Sequence, residues 1–345
     1  MNVKTSPRVI TLGTGGGPRI WTNADPSVAP RCGIATAVVV GDRWYLIDAG
    51  HGAFTQIKRA GLDISQLGGI FITHLHSDHI MDLNSVTIFG MFDLAAKLPE
   101  IPIYGPGDRQ VLPHTSPRAQ NTIEPIFPDN PTPGVSGLFS ALMQAHATDL
   151  NDRILDALRP SPLDVWRPRD ILIPSEVGFH PNDNPFPELD PWVVHEDDRL
   201  RVSATLVVHP PIAPAFAFRF DTEGGSVTIS GDTRPSENLV ILAENTDLLL
   251  HEAIDFDWVH ATYPGRNEME LASVDHHRKS HTSPTEAGEI ATRANARRLA
   301  LHHVVPGNSP RSVFEAAGTT FEGGVLVTDD LDDIVIGSPS VLRSR

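Results

Sequence analysis

The run 74–79, which reads His-Leu-His-Ser-Asp-His, constrains this chain more than any other feature of its sequence. It places four metal-ligating side chains within six residues, directly after the apolar segment 69–73, which predicts a buried strand. A loop at the end of such a strand can turn alternate side chains to different sides of one point, so two neighbouring metal ions can share it. A solvated surface loop would explain any one of these histidines, but not four ligating residues at this spacing.

The composition narrows the kind of site that this run can build. The chain has 345 residues with 16 histidines and a single cysteine, Cys32, so an intrachain disulfide and a thiolate zinc finger are both excluded. Imidazole and carboxylate groups are therefore the expected metal ligands. Hydrophobic residues make up 40% of the chain, which is enough to bury a sizeable core.

The charge and the hydropathy argue against several classes of protein. The formal net charge is −16, which disfavours a general nucleic-acid binder because phosphate groups are neutralised by clustered lysine and arginine. No run approaches the roughly 18–20 apolar residues that span a bilayer, so we expect no contact with a membrane. No basic stretch followed by an apolar one opens the sequence, and a cytoplasmic location is the default expectation.

Strand and helix patterns recur in two halves of the chain. Strands are predicted at 9–12, 34–40, 44–47, 69–73, 200–208, 215–220, 226–230, 247–250 and 299–302, and helices at 53–60, 239–244 and 283–294. A final β pair is predicted between 325–328 and 333–336. This order favours two β-rich halves that pack face to face with helices outside, within a single domain 1–345.

The middle segment 106–200 is rich in proline and is predicted to be an insertion. Helical periodicity extends only over about 136–159, and the rest has the pattern of loops. A long insertion in a compact domain usually serves as a lid or binding element, so we expect 106–200 to be a lid or substrate-binding segment.

The run 74–79 matches the His-x-His-x-Asp-His signature of the metallo-β-lactamase-fold hydrolases. The agreement extends to the glycine turn 12–17, the strand 45–50 ending in Asp-Ala-Gly, Gly-Asp-Thr at 231–233, His-Glu-Ala at 251–253, His-Thr-Ser-Pro at 281–284 and the strand Leu299–Val305. These motifs resemble the tRNase Z and arylsulfatase-like branches of the family and cover about 1–105 and 200–310. The resemblance implies an α/β fold, the metallo-β-lactamase-like αββα four-layer sandwich, with a partly helical insertion.

The resemblance implies a first metal bound by His74, His76 and one isolated histidine. For the isolated ligand we choose His209, because it follows an apolar strand at the spacing that family members show. The alternatives in the same part of the chain are His146, His180 and His195.

The resemblance implies a second metal bound by Asp78, His79 and the last histidine of the family pattern. That histidine is His303, with its neighbour His302 as the alternative. Asp232 of the Gly-Asp-Thr motif would bridge both metals.

Imidazole and carboxylate ligands suit zinc, so we expect two Zn²⁺ ions, with Mn²⁺ or iron as alternatives. In oxygen-reducing di-iron members of the fold a glutamate usually occupies the position of His76, so the histidine here favours hydrolysis. Two metals about 3.5–4 Å apart can share a hydroxide and polarise the bond that is broken. The resemblance thus implies a binuclear, metal-dependent hydrolase.

Two residues are expected to take part in catalysis directly. Asp78 would orient the hydroxide as well as ligate a metal, and His281 would donate a proton to the leaving oxygen, as the matching histidine of tRNase Z does. Two further carboxylates are expected to hold these groups in place. Asp48 would accept a hydrogen bond from the ligand loop, and Glu252 would orient His281.

The insertion favours a small-molecule substrate, namely a sulfate, phosphate, lactone or related ester. Residues 129–200 contain 13 acidic residues, five arginines and no lysine, whereas an arm that grips tRNA should be basic. Apolar side chains of the insertion could line a pocket or form a small core of their own: Phe139, Leu142, Met143, Trp166, Phe179, Phe186 and Trp192. We therefore expect a small-molecule hydrolase without a nucleic-acid partner, and a homodimer is compatible with the sequence. The alternatives are a tRNase Z-like tRNA 3′-processing endonuclease and a non-catalytic metal-binding protein.

Overall fold

Fifteen strands form the centre of the computed structural model, which describes residues 6–94 and 99–337 and the backbone of 342–343. In chain order they are β1 Arg8–Gly13, β2 Ala35–Val40, β3 Arg43–Ile47, β4 Leu67–Phe71, β5 Ile101–Pro106, β6 Trp166–Ile171, β7 Trp192–Glu196, β8 Leu200–Leu206, β9 Phe216–Thr222, β10 Gly225–Ile229, β11 Leu248–Ile254, β12 Leu299–Val305, β13 Val325–Val327, β14 Asp333–Val335 and β15 Leu342–Arg343.

Ten α-helices accompany these strands in the described part of the chain. They are α1 Ala53–Arg59, α2 Ser77–Ile80, α3 Leu83–Phe89, α4 Val135–Ala145, α5 Ala147–Leu155, α6 Glu237–Leu242, α7 Phe256–Thr262, α8 Glu268–Ser280, α9 Pro284–Arg293 and α10 Arg311–Glu315. The start of α9 shows how the sequence sets such a boundary, because Ser283 and Glu286 form a reciprocal capping box and Pro284 occupies the first turn. Within the described ranges, no helix is long and apolar enough to cross a bilayer.

Each of the two sheets combines an antiparallel part with a parallel part. The first sheet has the order β15-β14-β1-β2-β3-β4-β5-β6, and β3 to β6 run parallel. The second has the order β13-β12-β11-β10-β9-β8-β7, and β10 to β13 run parallel. Since parallel strands end at the same edge of a sheet, each sheet presents a set of loops at one edge where side chains can converge.

Three layers of apolar side chains hold the sheets and helices together. Phe71 of the first sheet contacts Phe218 and Phe220 of the second, with ring centroids 5.7 and 5.3 Å apart, so the two sheets pack face to face. Helices α1, α3 and α4 cover the outer face of the first sheet, and α6, α9 and α10 cover that of the second. The αββα four-layer sandwich predicted from the sequence is therefore present.

The segment 106–200 contains more regular structure than its prolines suggest. Helices α4 and α5 lie where helical periodicity predicts them, but β6 and β7 form the last strands of the first and second sheets, which the sequence analysis missed. Strand β6 tolerates Pro168 because an edge strand leaves one side of its backbone unpaired. Phe139, Met143 and Trp166 are buried in the layer outside the first sheet, so these side chains belong to the core of the domain. The role of 106–200 as a lid stays a prediction.

The predicted pairing of the last two strands is wrong. Strand β13 joins the second sheet beside β12, whereas β14 joins the first sheet between β1 and β15. An apolar pattern identifies a strand but not its partner, and here the chain crosses between the sheets after Val327.

Candidate metal centre

The predicted ligands meet where the parallel parts of both sheets end. His74 follows β4, Asp232 follows β10, and His303 lies near the end of β12. His209 follows β8, and its backbone segment is held beside Arg234 by a bridge. The first sheet thus supplies the run 74–79, and the second supplies the remaining ligands.

The first ligand group consists of three imidazole rings. His74 Nε2 lies 3.0 Å from His76 Nδ1, which in turn lies 3.2 Å from His209 Nε2. His74 and His209 are fully buried, and His76 faces the cavity at the centre. The three nitrogens are close enough to hold a single cation.

The second ligand group contains two imidazoles and two carboxylates. His79 Nε2 lies 3.2 Å from His303 Nε2, and His303 Nε2 lies 3.3 Å from Asp78 Oδ2. Asp232 Oδ1 lies 3.3 Å from both ring nitrogens. These four side chains are again close enough to hold one cation.

Asp232 lies between the two groups and shows that the site suits cations. Its second oxygen is 3.9 Å from His209 Nε2, so one carboxylate faces both groups. Oδ1 is buried and has no hydrogen-bond partner among the described residues. A buried carboxylate oxygen without a partner costs free energy unless a cation or a proton binds there. The donor set of five histidines and two aspartates is the one expected for zinc and similar divalent metals.

Hydrogen bonds from the surrounding chain orient several of these rings. His79 Nδ1 donates to Asp48 Oδ2 at 2.8 Å, which leaves Nε2 free to face the centre. Thr73, which the sequence analysis missed, donates its hydroxyl to the same carboxylate at 2.9 Å. His209 Nδ1 donates to the Ser280 carbonyl at 2.8 Å. Asp48 therefore lies where the sequence analysis expected it.

Two side chains at the centre extend from backbone in the left-handed region. Asp48 has φ 57° and His303 has φ 47°, conformations that cost free energy in non-glycine residues and are common at functional sites. Glycine is required opposite His303, because a Cβ on Gly16 would lie 2.4 Å from His303 Nδ1. The next residue, Gly17, donates its amide to Asp78 Oδ2 at 3.0 Å. The glycine turn 12–17 thus shapes one wall of the centre.

The two ligand groups differ in the pKa values of their histidines. Burial lowers the pKa of His74 and of His209 well below the usual value, since a charged ring would be desolvated next to other histidines. Burial also opposes charge on His79, but Asp232, Asp48 and Asp78 outweigh it and raise its pKa well above the usual value. His303 shows the same balance, and its pKa is raised.

A further pair lies beside the ligands. His281 Nδ1 donates to Glu252 Oε1 at 2.9 Å, and the same oxygen accepts the Thr233 amide at 2.8 Å. Burial opposes charge on His281, but Glu252 outweighs it and raises its pKa to about 9. A protonated imidazole that faces the cavity can act as a general acid at neutral pH. Glu252 is fully buried and contacts His281, and its orienting role stays a prediction.

The structure brings none of the alternative histidines into either group. His302 lies on the opposite side of β12, with its Nδ1 3.5 Å from Thr36 Oγ1. His146 caps α4, and His180 Nδ1 accepts backbone amides within its own loop. His195 lies between Tyr104 and Asp197 at the edge of the second sheet.

A cavity of 230 Å³ opens over the centre, and a helix that was not predicted from the sequence forms part of its wall. His76, Asp78, Asp232 and His281 line it, together with His276 of α8. The sequence analysis placed no helix at 268–280, because the hydrophobic residues there do not follow a clear helical period. His276 was therefore not recognised as part of the site.

Comparisons with known proteins show what this chain is similar to. A model of the family described as Anti-Pycsar protein Apyc1 matches residues 36–107. Ribonuclease Z of Mycolicibacterium gilvum (strain PYR-GCK) is 27% identical over 315 residues, which cover 89% of this chain and 91% of the relative. Ribonuclease Z of Mycobacterium bovis (strain BCG / Pasteur 1173P2) is 26% identical over 310 residues and covers 89% and 92%.

Two solved structures share the fold across nearly the whole chain. Human tRNase Z, short form, aligns with a TM-score of 0.59 and 21% identity, covering 95% of this chain and 99% of that one. The metallo-β-lactamase fold protein YhfI from Bacillus subtilis aligns with a TM-score of 0.57 and 17% identity, covering 95% and 98%. The arylsulfatase-like part of the resemblance gains no support from these relatives.

Proposed function

We propose that this chain, which is a metal-dependent hydrolase of the metallo-β-lactamase fold, is a ribonuclease Z-like phosphodiesterase that cleaves precursor tRNA at its 3′ end. The observation that carries the proposal is the likeness to ribonuclease Z proteins over 89% of the chain. The pair of His281 and Glu252 beside seven converging ligands supports it, because breaking a phosphodiester needs an acid for the leaving oxygen.

The prediction of a small-molecule ester hydrolase is therefore wrong, as is the prediction that no nucleic acid binds. The ribonuclease Z relatives overturn both and favour the nuclease alternative. The third alternative, a metal-binding protein without catalysis, is also wrong, because the chain is an enzyme.

The acidic composition of the insertion misled the sequence analysis for a physical reason. Among the described residues, no acidic residue of 106–200 lines the cavity over the centre or either of two neighbouring cavities that the insertion helps to form. Several of these carboxylates are bound elsewhere: Asp149 pairs with Arg153, Asp197 with Arg43, and Glu196 with Arg201. Net charge counted along a segment therefore says little about the surface that a substrate would meet.

The proposed reaction assigns a task to each group of residues. His74, His76 and His209 would hold one cation, and Asp78, His79, Asp232 and His303 the other; we propose Zn²⁺ for both. Bound there, the cations would supply Lewis acidity toward the phosphate and lower the pKa of water. As water attacks phosphorus, the bond from phosphorus to the leaving oxygen breaks and His281 donates its proton to that oxygen. Asp78, which faces the cavity, would orient the attacking water. A cytoplasmic location and a homodimer stay predictions.

The test is cleavage of a precursor tRNA by zinc-loaded protein, with the products mapped to single-nucleotide resolution. We expect one cut at the junction of the acceptor stem and the 3′ trailer, and no cut after treatment with a chelator. A matched control is a tRNA that already lacks the trailer. Cleavage of bis(p-nitrophenyl) phosphate without any cleavage of the precursor would contradict the proposal.

A further inference from the structure

A second cavity, of 480 Å³, lies between helix α8 and the insertion and adjoins the metal centre. Its walls come from residues 109–117 and 181–185 on one side and from α8 on the other. His276 lines both this cavity and the one over the ligands. A chain that occupies the metal centre can therefore continue past His276 into the space between α8 and the insertion, which we name the α8 cleft.

Two cationic side chains, Arg109 and Lys279, line the α8 cleft. Among the described residues, neither Lys279 nor Arg109 lies within ion-pair distance of an acidic side chain, although both line the cleft. The one acidic residue that lines it, Asp275, is held by Arg118 Nε at 2.8 Å. The cleft therefore carries net positive charge in a chain whose overall charge is −16.

Arg109 contributes charge while its hydrogen bonds serve the fold. Its guanidinium donates to the carbonyls of Val111, Pro211 and Pro181 and to Asn182 Oδ1. These bonds join the insertion to the loop that follows the ligand His209. The donors of Arg109 are thus occupied, and Lys279 is the cation whose donors remain available to a ligand.

His276 and Lys279 lie on the same side of α8, because residues three apart are neighbours on a helix. The His276 ring centroid lies 6.0 Å from that of His281 and 6.4 Å from that of His209. His276 belongs to neither ligand group. A substrate that extends from the proposed acid His281 into the α8 cleft would therefore meet first the imidazole of His276 and then the ammonium group of Lys279.

We infer that the α8 cleft binds the phosphate next to the scissile one, on the leaving-group side, with Lys279 as the cation and His276 as a positioning hydrogen-bond donor. The leaving-group side follows from His281, which protonates the leaving oxygen and is the neighbour of His276. This inference rests on the proposed function, since only an oligonucleotide has a neighbouring phosphate. It supplies the basic surface that the acidic insertion lacks.

The experiment compares three substrates that differ in one respect at a time. Bis(p-nitrophenyl) phosphate has an easily displaced leaving group, a dinucleoside monophosphate has an alkoxide leaving group, and a single-stranded oligonucleotide adds neighbouring phosphates. We expect Lys279→Ala to lower kcat/KM about tenfold on the oligonucleotide and on precursor tRNA. Hydrolysis of the other two substrates should stay within about twofold of wild type, since neither has a second phosphate. His276→Asn should also lower kcat/KM on the oligonucleotide.

Salt dependence and a matched variant complete the test. The slope of log kcat/KM against log salt should become shallower by about 0.7 in Lys279→Ala, as expected for one lost contact to a single strand. Lys58→Ala removes the same charge from α1, where Lys58 pairs with Asp93, and should leave the slope unchanged.

The possible outcomes separate the inference from the proposed function. Equal losses on all three substrates, or no loss on the oligonucleotide, would overturn the inference even if precursor tRNA is cut correctly. A selective loss on the oligonucleotide in a protein that does not cut precursor tRNA would overturn the proposed function and leave the inference standing. A wild-type protein that cleaves only the p-nitrophenyl ester would overturn both.

Discussion

The two ligand groups differ in charge, although they share Asp232. The first consists of three imidazoles whose pKa values are lowered by burial. The second contains Asp78 as well as Asp232, and its imidazoles His79 and His303 have raised pKa values. A cation at the second group thus meets two carboxylates, whereas a cation at the first meets neutral rings and the far oxygen of Asp232.

This difference implies unequal affinities for divalent cations. Coulomb attraction between a divalent cation and a carboxylate is strong in a buried site, so the second group should fill first and empty last. The first group should exchange its cation more readily.

The largest effect is expected for Asp232→Ala, because the two oxygens of the Asp232 carboxylate face the two groups. We expect both cations to be lost and activity to fall by at least about a thousandfold. Metal content by plasma mass spectrometry and the rate of phosphodiester hydrolysis check this. A variant that retains both cations would refute the bridging position of Asp232.

His74→Ala should remove one cation and spare the other. His74 belongs to the first group, and its loss leaves all four ligands of the second group in place. We expect about one metal per chain, and activity lower on the order of a thousandfold because one Lewis acid is missing. Retention of two metals, or full activity with one, would contradict the assignment.

His281→Ala tests the acid without disturbing either group. We expect turnover of a dinucleoside monophosphate to fall about a hundredfold with metal content unchanged. Bis(p-nitrophenyl) phosphate should lose little, because p-nitrophenolate leaves without a proton. In the wild type, activity should fall as the pH rises above about 9, where His281 loses its proton, and the variant should lack this decline. An equal loss on both substrates would argue for a structural role.

A smaller effect is expected for Asp48→Asn, which keeps the shape of the side chain but removes its charge. His79 would lose the anionic acceptor of its Nδ1 proton. We expect cation affinity at the second group to weaken about 10- to 100-fold, with the first group unchanged. Competition with a chromogenic chelator measures both affinities. Weakening of the first group alone would contradict the contact.

The smallest expected effect is the release of a proton when a cation binds the second group. Asp232, Asp48 and Asp78 raise the pKa of His79, which favours its protonated form in the metal-free protein, so a cation that binds the second group should displace a proton. The first group has neutral rings and should release none. Calorimetric titration in buffers of different ionisation enthalpy should therefore show proton release for the tighter step only.

The sequence predicts the centre of this molecule better than its periphery. The run 74–79 follows a strand whose apolar character is unmistakable, so its ligands could be located from local pattern alone. His209 and His303 needed the family resemblance, because their partners are far away in the chain. The acidic composition of the insertion led to the wrong prediction that no nucleic acid binds. A count of charges does not show that Asp149 and Asp197 are paired with arginines.

Other features lay beyond local reasoning. The hydrogen bond from the Gly17 amide to Asp78 joins residues that are 61 positions apart, and no local sequence pattern predicts it. His276 was missed because α8 lacks an apolar stripe, and only packing against the insertion makes its position meaningful. The partners of β13 and β14 depend on where the chain crosses between sheets.

The origin of the ligands also has a mechanical consequence. The run 74–79 follows a strand of one sheet, and His209, Asp232 and His303 belong to the other sheet. Bound cations would therefore cross-link the two halves of the sandwich. Metal that binds only the folded chain adds to its stability by mass action. The melting temperature should therefore rise with the concentration of free zinc. Removal of the cations should weaken the contact between the two sheets.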